Sequence, residues 1–263
     1  MILGYSVYEI ICLFFIYGFL GWCVEVVYCG LEEGRFINRG FLNGPICPIY
    51  GVGAVTVVLC LTPLLDNIAL LFIGSALLTT ILEFITGFAL DKIFHARWWD
   101  YSDKPFNIGG YICLKFSIYW GLVCIALMRG IHPTVFNLVK HIPYLLGVIL
   151  LAFLSAVFVT DIVITVISIN KLEKRIKLMD DIAEKIRAVS DEIGEHVYDG
   201  ATSVVHKGEE IHNSENMQEL REKYSDMLKE KHMFQHRIIK AFPNMRSHSH
   251  HEQLDKLREK LKK

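Results

Sequence analysis

Gly34–Gly53 reads GRFINRGFLNGPICPIYGVG and stands between two apolar runs of membrane-crossing length. It carries two arginines, two asparagines, two prolines and five glycines where a plain connector would need none of them. Backbone that is not regular helix is tolerated at membrane depth only where protein buries it or water reaches it. The stretch therefore reads as the wall of a polar cavity rather than as a passive link.

Working outward, apolar runs of roughly 20–25 residues are long enough to cross a bilayer. They place spans near Ser6–Gly30, Ile46–Leu64, Ile68–Leu90, Gly109–Met128 and Pro143–Asn170. The expected fold is all-α: a polytopic membrane domain over 1–170, then a charged helical tail over 171–263. Of the 27 lysines and arginines, 8 lie in residues 1–170 and 19 from Lys171 onward; of the 28 acidic residues, 10 lie in the first part and 18 in the second. Neither part has the basic excess of a nucleic-acid binder. The seven cysteines, Cys12 to Cys124, show neither a C-x-x-C pair nor zinc spacing, and read as small apolar residues. MILGYSVYEI has no basic n-region and no cleavage site, so the first run reads as a permanent span.

Positive charge in the connections sets orientation. The first connection holds Arg35 and Arg39, the second none, the third Lys92, Arg97 and Lys104, and the tail opens with Lys171, Lys174, Arg175 and Lys177. This predicts a multi-pass protein of the cell membrane, N-terminus outside and C-terminus cytoplasmic. Arg129 and Lys140 in the fourth connection run against the rule. Both irregular segments, Gly34–Pro45 and Arg97–Gly110 (RWWDYSDKPFNIGG), then share the cytoplasmic face.

Four ionisable residues interrupt the spans. At about 1.5 Å per residue, Glu25, Glu83, Lys115 and Asp161 fall roughly 7–14 Å below that face. Such groups are costly in hydrocarbon, face the bundle interior and mark function. Lys115 could instead snorkel to the interface, and Asp161 could cap a backbone or pair with Lys115. Arg35, Arg39 and Arg97 either set topology or hold an anion through forked hydrogen bonds. Trp98 and Trp99 suit an interfacial belt, but Asp100, Tyr101 and Asn107 beside them suggest more. With Asn38, Asn43 and Tyr50 these residues form the candidate substrate-binding set.

The strings GWCVEVVY (Gly21–Tyr28), GRFINRGFLNGPICPIYG (Gly34–Gly51), ILEFITG (Ile81–Gly87) and RWWDYSDKPFNIGGYICL (Arg97–Leu114) resemble the ABC-transporter type IV permease family of bacterial membrane proteins. RIIKAFPNMRS (Arg237–Ser247) is similar to the end of its longer members. The resemblance implies a membrane transport component of the inner membrane and gives no single residue a role. The chain has no G-x-x-x-x-G-K-[ST] loop, so any ATPase would be a separate subunit.

In the tail, Leu172, Ile176, Met179, Ile182, Ile186, Val189, Ile193 and Val197 make a heptad-like stripe. A second stripe follows from Met217 through Leu220, Tyr224, Met227 and Phe234 to Ile238, broken by Lys231 and separated from the first by Asp199–Glu209. The fifth span is expected to continue as a helix and then turn to pair like a coiled coil, within the chain or in a homodimer. His232 and His236, and the cluster of His248, His250 and His251, lack fixed carboxylate or cysteine partners, so neither a metal nor another cofactor is expected. Three functions remain open. The first is a transport component with a polar cavity facing the cytoplasm. The second is an embedded enzyme or binding protein for a lipid headgroup, with a buried carboxyl as acid or base. The third is an assembly protein acting through its tail. No catalytic motif favours an enzyme.

Overall fold

A computed structural model describes residues 3–34, 36–198, 206–230, 232–247 and 249–262. Arg35, Lys231 and His248 lie outside the described residues, as does 199–205 of the expected tail break. The remainder of that break, from His206, is helical.

Helix α1 spans Val7–Glu33 and is fenced at both ends. Ser6 and Glu9 form a reciprocal capping box at its start. Gly34, in the left-handed region at φ 66°, closes its end. Pro48 opens α2, Pro48–Leu61, where its missing N–H costs nothing. Asn67 caps α3, Ile68–Phe94, by accepting from the Ala69 and Leu70 amides. Helix α4 covers Leu114–Ala126, α5 His132–His141 and α6 Tyr144–Tyr198. The tail adds α7, His206–Lys229, α8, Met233–Ala241, and α9, His251–Lys262. Among the described residues, sheet is confined to two-residue strands such as the hairpin of Asn107–Ile108 against Ile112–Cys113.

Among the described residues, four helical stretches are long and apolar enough to cross a membrane: Val7–Leu31, Ile68–Phe94, Leu114–His141 and Tyr144–Asp191. Pro48–Leu64 is apolar but shorter, so a count of five spans depends on it. The fourth crossing differs from the expected Gly109–Met128. It starts at Leu114 and runs on to His141 through a π turn at Leu127–Ile131. Pro133 cannot donate to a carbonyl one turn back, and the wider turn accommodates the lost bond. Arg129 then reaches the Leu65 carbonyl at 2.7 Å, which gives it a local partner.

The burial pattern of α3 is that of a helix in lipid. Ile73, Leu77, Ile81 and Ile85 are each more than half exposed, whereas Ser75, Glu83 and Asp91 are each less than a tenth exposed. Small and polar residues face the neighbouring helices and large apolar ones face outward, the reverse of a water-soluble helix. The all-α membrane fold follows directly.

The chain divides into two compact units. The first is Met1–Ile167 together with Arg237–Arg246, and the second is Ser168–His236 with Ser247–Lys263. The first unit ends close to the expected boundary at residue 170 and also takes in Arg237–Arg246 from the tail. In that unit α1 packs on α2, α2 on α3, α3 on α4, and α5 returns to α1. Gly21 permits the closest of these approaches, since a Cβ there would stand 2.3 Å from the Tyr50 ring. At the end where α1 begins, His132 sits between Tyr5 and Tyr17, at 3.0 and 2.7 Å from their hydroxyls. This ties α5 to α1.

The second unit is held by polar bonds as well as by its stripe. Leu172, Ile176, Met179 and Ile182 are buried. Phe234 of the second stripe is exposed. Buried Arg175 donates to Gln235 at 2.8 Å and to the Met227 and Glu230 carbonyls at the end of α7, where a cation suits the helix dipole. Asp180 accepts from Gln253 at 3.1 Å and pairs with His250 at 2.6 Å. Glu252 binds both Arg187 and Lys256.

Candidate functional site

The two irregular segments meet at the end of the bundle where α1 and α3 finish. Phe41 and Phe94 pack on Trp98 with ring centroids 5.0 and 6.0 Å away, and Phe242 meets its face edge-on at 4.7 Å. Trp98 is only 4% exposed. It is a packing centre between the loops rather than an interfacial belt residue.

The loop after α1 is folded upon its asparagines. Asn38 accepts from the Trp22 indole at 2.8 Å and donates to the Asn43 carbonyl at 2.7 Å. Asn43 donates through its side chain to Asp161 and to Thr165, both at 2.9 Å. Asp161 also accepts from the amides of Asn43, at 3.1 Å, and Gly44, at 2.7 Å. A carboxylate holding two backbone N–H groups and a side-chain amide anchors a loop that has no ladder of its own.

From the tail segment, Arg237 closes the same loop. Its Nε donates to Asn43 Oδ1 at 2.9 Å, and its two terminal nitrogens donate to the Gly40 and Phe41 carbonyls at 2.8 and 2.9 Å. Burial lowers the Arg237 pKa, and the charge of Asp161 pulls it back up. Arginine holds its proton under any such shift. The guanidinium thus satisfies carbonyls that the irregular backbone leaves open.

A second group surrounds Glu25. Tyr50 donates to Glu25 at 2.5 Å, Arg39 lies 3.6 Å from the other carboxylate oxygen, and the Arg39 guanidinium stands 5.6 Å over the Tyr28 ring. Tyr50 also packs edge-on against Trp120, with centroids 5.5 Å apart. A third group is centred on Glu83, to which Tyr101 donates at 3.3 Å. Burial above all pushes the Tyr101 hydroxyl pKa up, helped by the negative charge of Glu83 and, more weakly, of Glu25. Tyr101 is therefore bonded to Glu83 and lies within electrostatic reach of Glu25.

Arg97 belongs to a fourth group. It is 3.6 Å from Asp91 and 3.8 Å from Asp100, and it lies 5.1 Å over the Tyr111 ring. Tyr111 donates to Asp91, and that bond, ahead of burial, raises its pKa. Asp100 accepts from Ser102 and faces Arg246 at 3.5 Å. Its burial pushes the pKa up, but the Ser102 bonds and the two arginines outweigh this and leave it lowered. Trp99 donates to the Tyr111 carbonyl at 2.9 Å, and Asn107 braces the hairpin through the Ser102 and Lys104 carbonyls and the Gly110 amide. Gly110 is required there: at φ 75° a Cβ would stand 2.6 Å from the Ser102 hydroxyl.

The candidate residues therefore form four neighbouring groups rather than one arginine-lined pocket. Lys115 leaves the set altogether, exposed and 5.7 Å over its own helix's Tyr119 ring. Asp161 is satisfied by the loop instead of by Lys115, because the loop amides reach it first. Arg35 lies outside the described residues. Sequence reasoning missed Arg237, Thr165, Asp91, Tyr111 and Trp22. Arg237, Trp22 and Tyr111 had a signal in their places within the RIIKAFPNMRS, GWCVEVVY and RWWDYSDKPFNIGGYICL strings, whereas Thr165 and Asp91 had none.

Inward-facing polar residues, an outward apolar face and irregular loops closing one end of the bundle define a polytopic helical membrane protein. The chain belongs to the family described as Putative ABC-transporter type IV, whose profile matches residues 12–166. The Arg237–Arg246 segment lies beyond that match. No curated protein and no solved structure matches the chain.

Proposed function

We propose that the protein is the permease component of a transport system in the bacterial inner membrane, with its polar end facing the cytoplasm. The carrying observation is that a chain of this family turns two intramembrane carboxylates, Glu25 and Glu83, inward onto the tyrosines Tyr50 and Tyr101. Carboxylates kept in a span at this cost serve a solute or ion pathway. On this reading the groups around Glu25 and Glu83 line a polar cavity. The chain is not itself an enzyme, and ATP hydrolysis is the work of a separate subunit. Arginine-rich connections at this end support an outside N-terminus and an inside C-terminus.

The lipid-headgroup reading is weaker because the arginines it needs are engaged. Arg39 faces Glu25, and Arg97 faces Asp91 and Asp100. The homodimer reading is weaker too, because Leu172, Ile176, Met179 and Ile182 are already buried within one chain. The test is flux in vesicles holding the full chain together with any ATPase encoded beside it. Glu25→Gln and Glu83→Gln should each abolish flux while the protein stays folded. Unchanged flux in both variants would remove the carboxylates from the pathway and sink the reading.

A further inference from the structure

Glu83 is the least satisfied carboxyl in the first unit. It is 9% exposed, its Oε1 accepts a 3.3 Å bond from Tyr101, the neutral Trp120 indole of α4 faces the carboxyl, and its Oε2 is buried with no hydrogen-bond partner among the described residues that meets hydrogen-bond geometry. No lysine, arginine or histidine among the described residues pairs with it. The groups that face it can be named element by element. Tyr101 comes from the loop after α3, with Cys113 behind it, and Glu25 with Tyr50 stands across Tyr101 from α1 and α2. On α3 itself, Asp91 is occupied by Arg97 and Tyr111. Lys115 on α4 is exposed and lies over Tyr119.

Every titratable group near Glu83 is thus an acid or a thiol. A carboxylate in such surroundings would be a buried charge without a counter-ion, beside the charge of Glu25. Such a group takes up a proton or a cation. The 2.5 Å bond of Tyr50 to Glu25 and the 3.6 Å approach of Arg39 show how the neighbouring carboxylate is satisfied as an anion instead. Two acids on either side of one tyrosine, one with a cation and one without, thus sit in opposite electrostatic surroundings.

We propose that Glu83 is a proton-binding site inside the span, holding its proton on Oε2, with Tyr101 bonded to it and the Arg39-paired Glu25 beyond. On release the Oε2–H bond breaks, the proton leaves to water, and the carboxylate keeps the hydrogen bond from Tyr101. Glu83 is then a coupling group in the ATPase-driven pathway, giving up and regaining its proton as the solute passes. That coupling role rests on the transport reading, whereas the bound proton does not.

Infrared difference spectroscopy of the full chain in lipid nanodiscs, with no solute present, separates the two. The wild type should show a protonated-carboxyl band at neutral pH that shifts in deuterium oxide. The band should vanish in Glu83→Gln and persist in Glu25→Gln. Glu83→Asp should move it without abolishing it. A band unchanged in Glu83→Gln would overturn the proposal. So would loss of the wild-type band on adding sodium or potassium at constant pH, which would make the ligand a metal cation. Failure of Glu83→Gln to fold where Glu83→Asp folds would overturn it as well, because the charge would then be what the site needs. A persistent band without any vesicle flux would leave the proton site standing and remove only the transport reading.

Discussion

Asp161 and Glu83 are single carboxyls set in apolar helices, and the fold treats them in opposite ways. Asp161 accepts from two loop amides and from the Asn43 and Thr165 side chains, so both its oxygens are used. Glu83 has one long bond from Tyr101, a neutral indole facing it, and one buried oxygen that no group among the described residues meets in hydrogen-bond geometry. The first binds a loop to a helix and makes a wall. The second leaves hydrogen-bonding capacity unused in a place where unused capacity is expensive. An intramembrane acid therefore signals function most strongly where its neighbours decline to satisfy it.

The largest expected effect comes from removing the satisfied acid. Asp161→Ala strips the acceptor from two backbone amides and should lower unfolding stability by about 3 kcal/mol, read as an earlier thermal transition in detergent. Arg237→Ala should cost less, about 2 kcal/mol for the lost charged donor. It should also open the Gly40–Asn43 loop to protease and hydrogen exchange. If exchange in that loop is unchanged, Arg237 is not its closure. Glu83→Gln should change stability by no more than about 1 kcal/mol, because the amide mimics the neutral acid, while flux is lost. A large destabilisation there would erase the contrast with Asp161.

The smallest effect belongs to the tail. Glu252, drawn by Lys256 first and then Arg187, has its pKa lowered from 4.5 to about 2, and the bond from His250 lowers that of Asp180. Depressed carboxyls contribute stability above their unfolded values and lose it as pH falls through the folded ones. Hydrogen exchange in α9 should therefore rise as pH drops from about 4.5 toward 2, while exchange around Asn43 rises less. Equal loss in both would show that the tail pairs are not what holds α9.

Much of this was legible in the chain. Glu25, Glu83 and Asp161 stood out because a charge in a long apolar run has no ordinary explanation. The irregular character of the first part of Gly34–Gly53 was legible from its glycines and Pro45, although Pro48, Gly51 and Gly53 belong to α2. The length of the fourth crossing was not, because Pro133 reads as a stop in any linear scan and only packing against α1 shows that a π turn absorbs it. Lys115 looked like a member of the polar layer by depth. Depth says nothing of the direction in which a side chain leaves its helix.

Sequence alone determined that this is an all-α membrane protein with a charged tail, because the cost of exposing apolar surface to water and charge to lipid is written residue by residue. It also determined which side chains are too polar for their surroundings. Which acid is anchored and which is left open was decided only by the tertiary structure. Arg237 is 194 residues from Asn43, and Asp161 is 118 from it. Such partners are set by how the helices and the returning tail segment pack, and no local pattern announces them. The segment Gly34–Gly53 reads as a wall from its own residues, but what holds that wall in place comes from elsewhere in the chain.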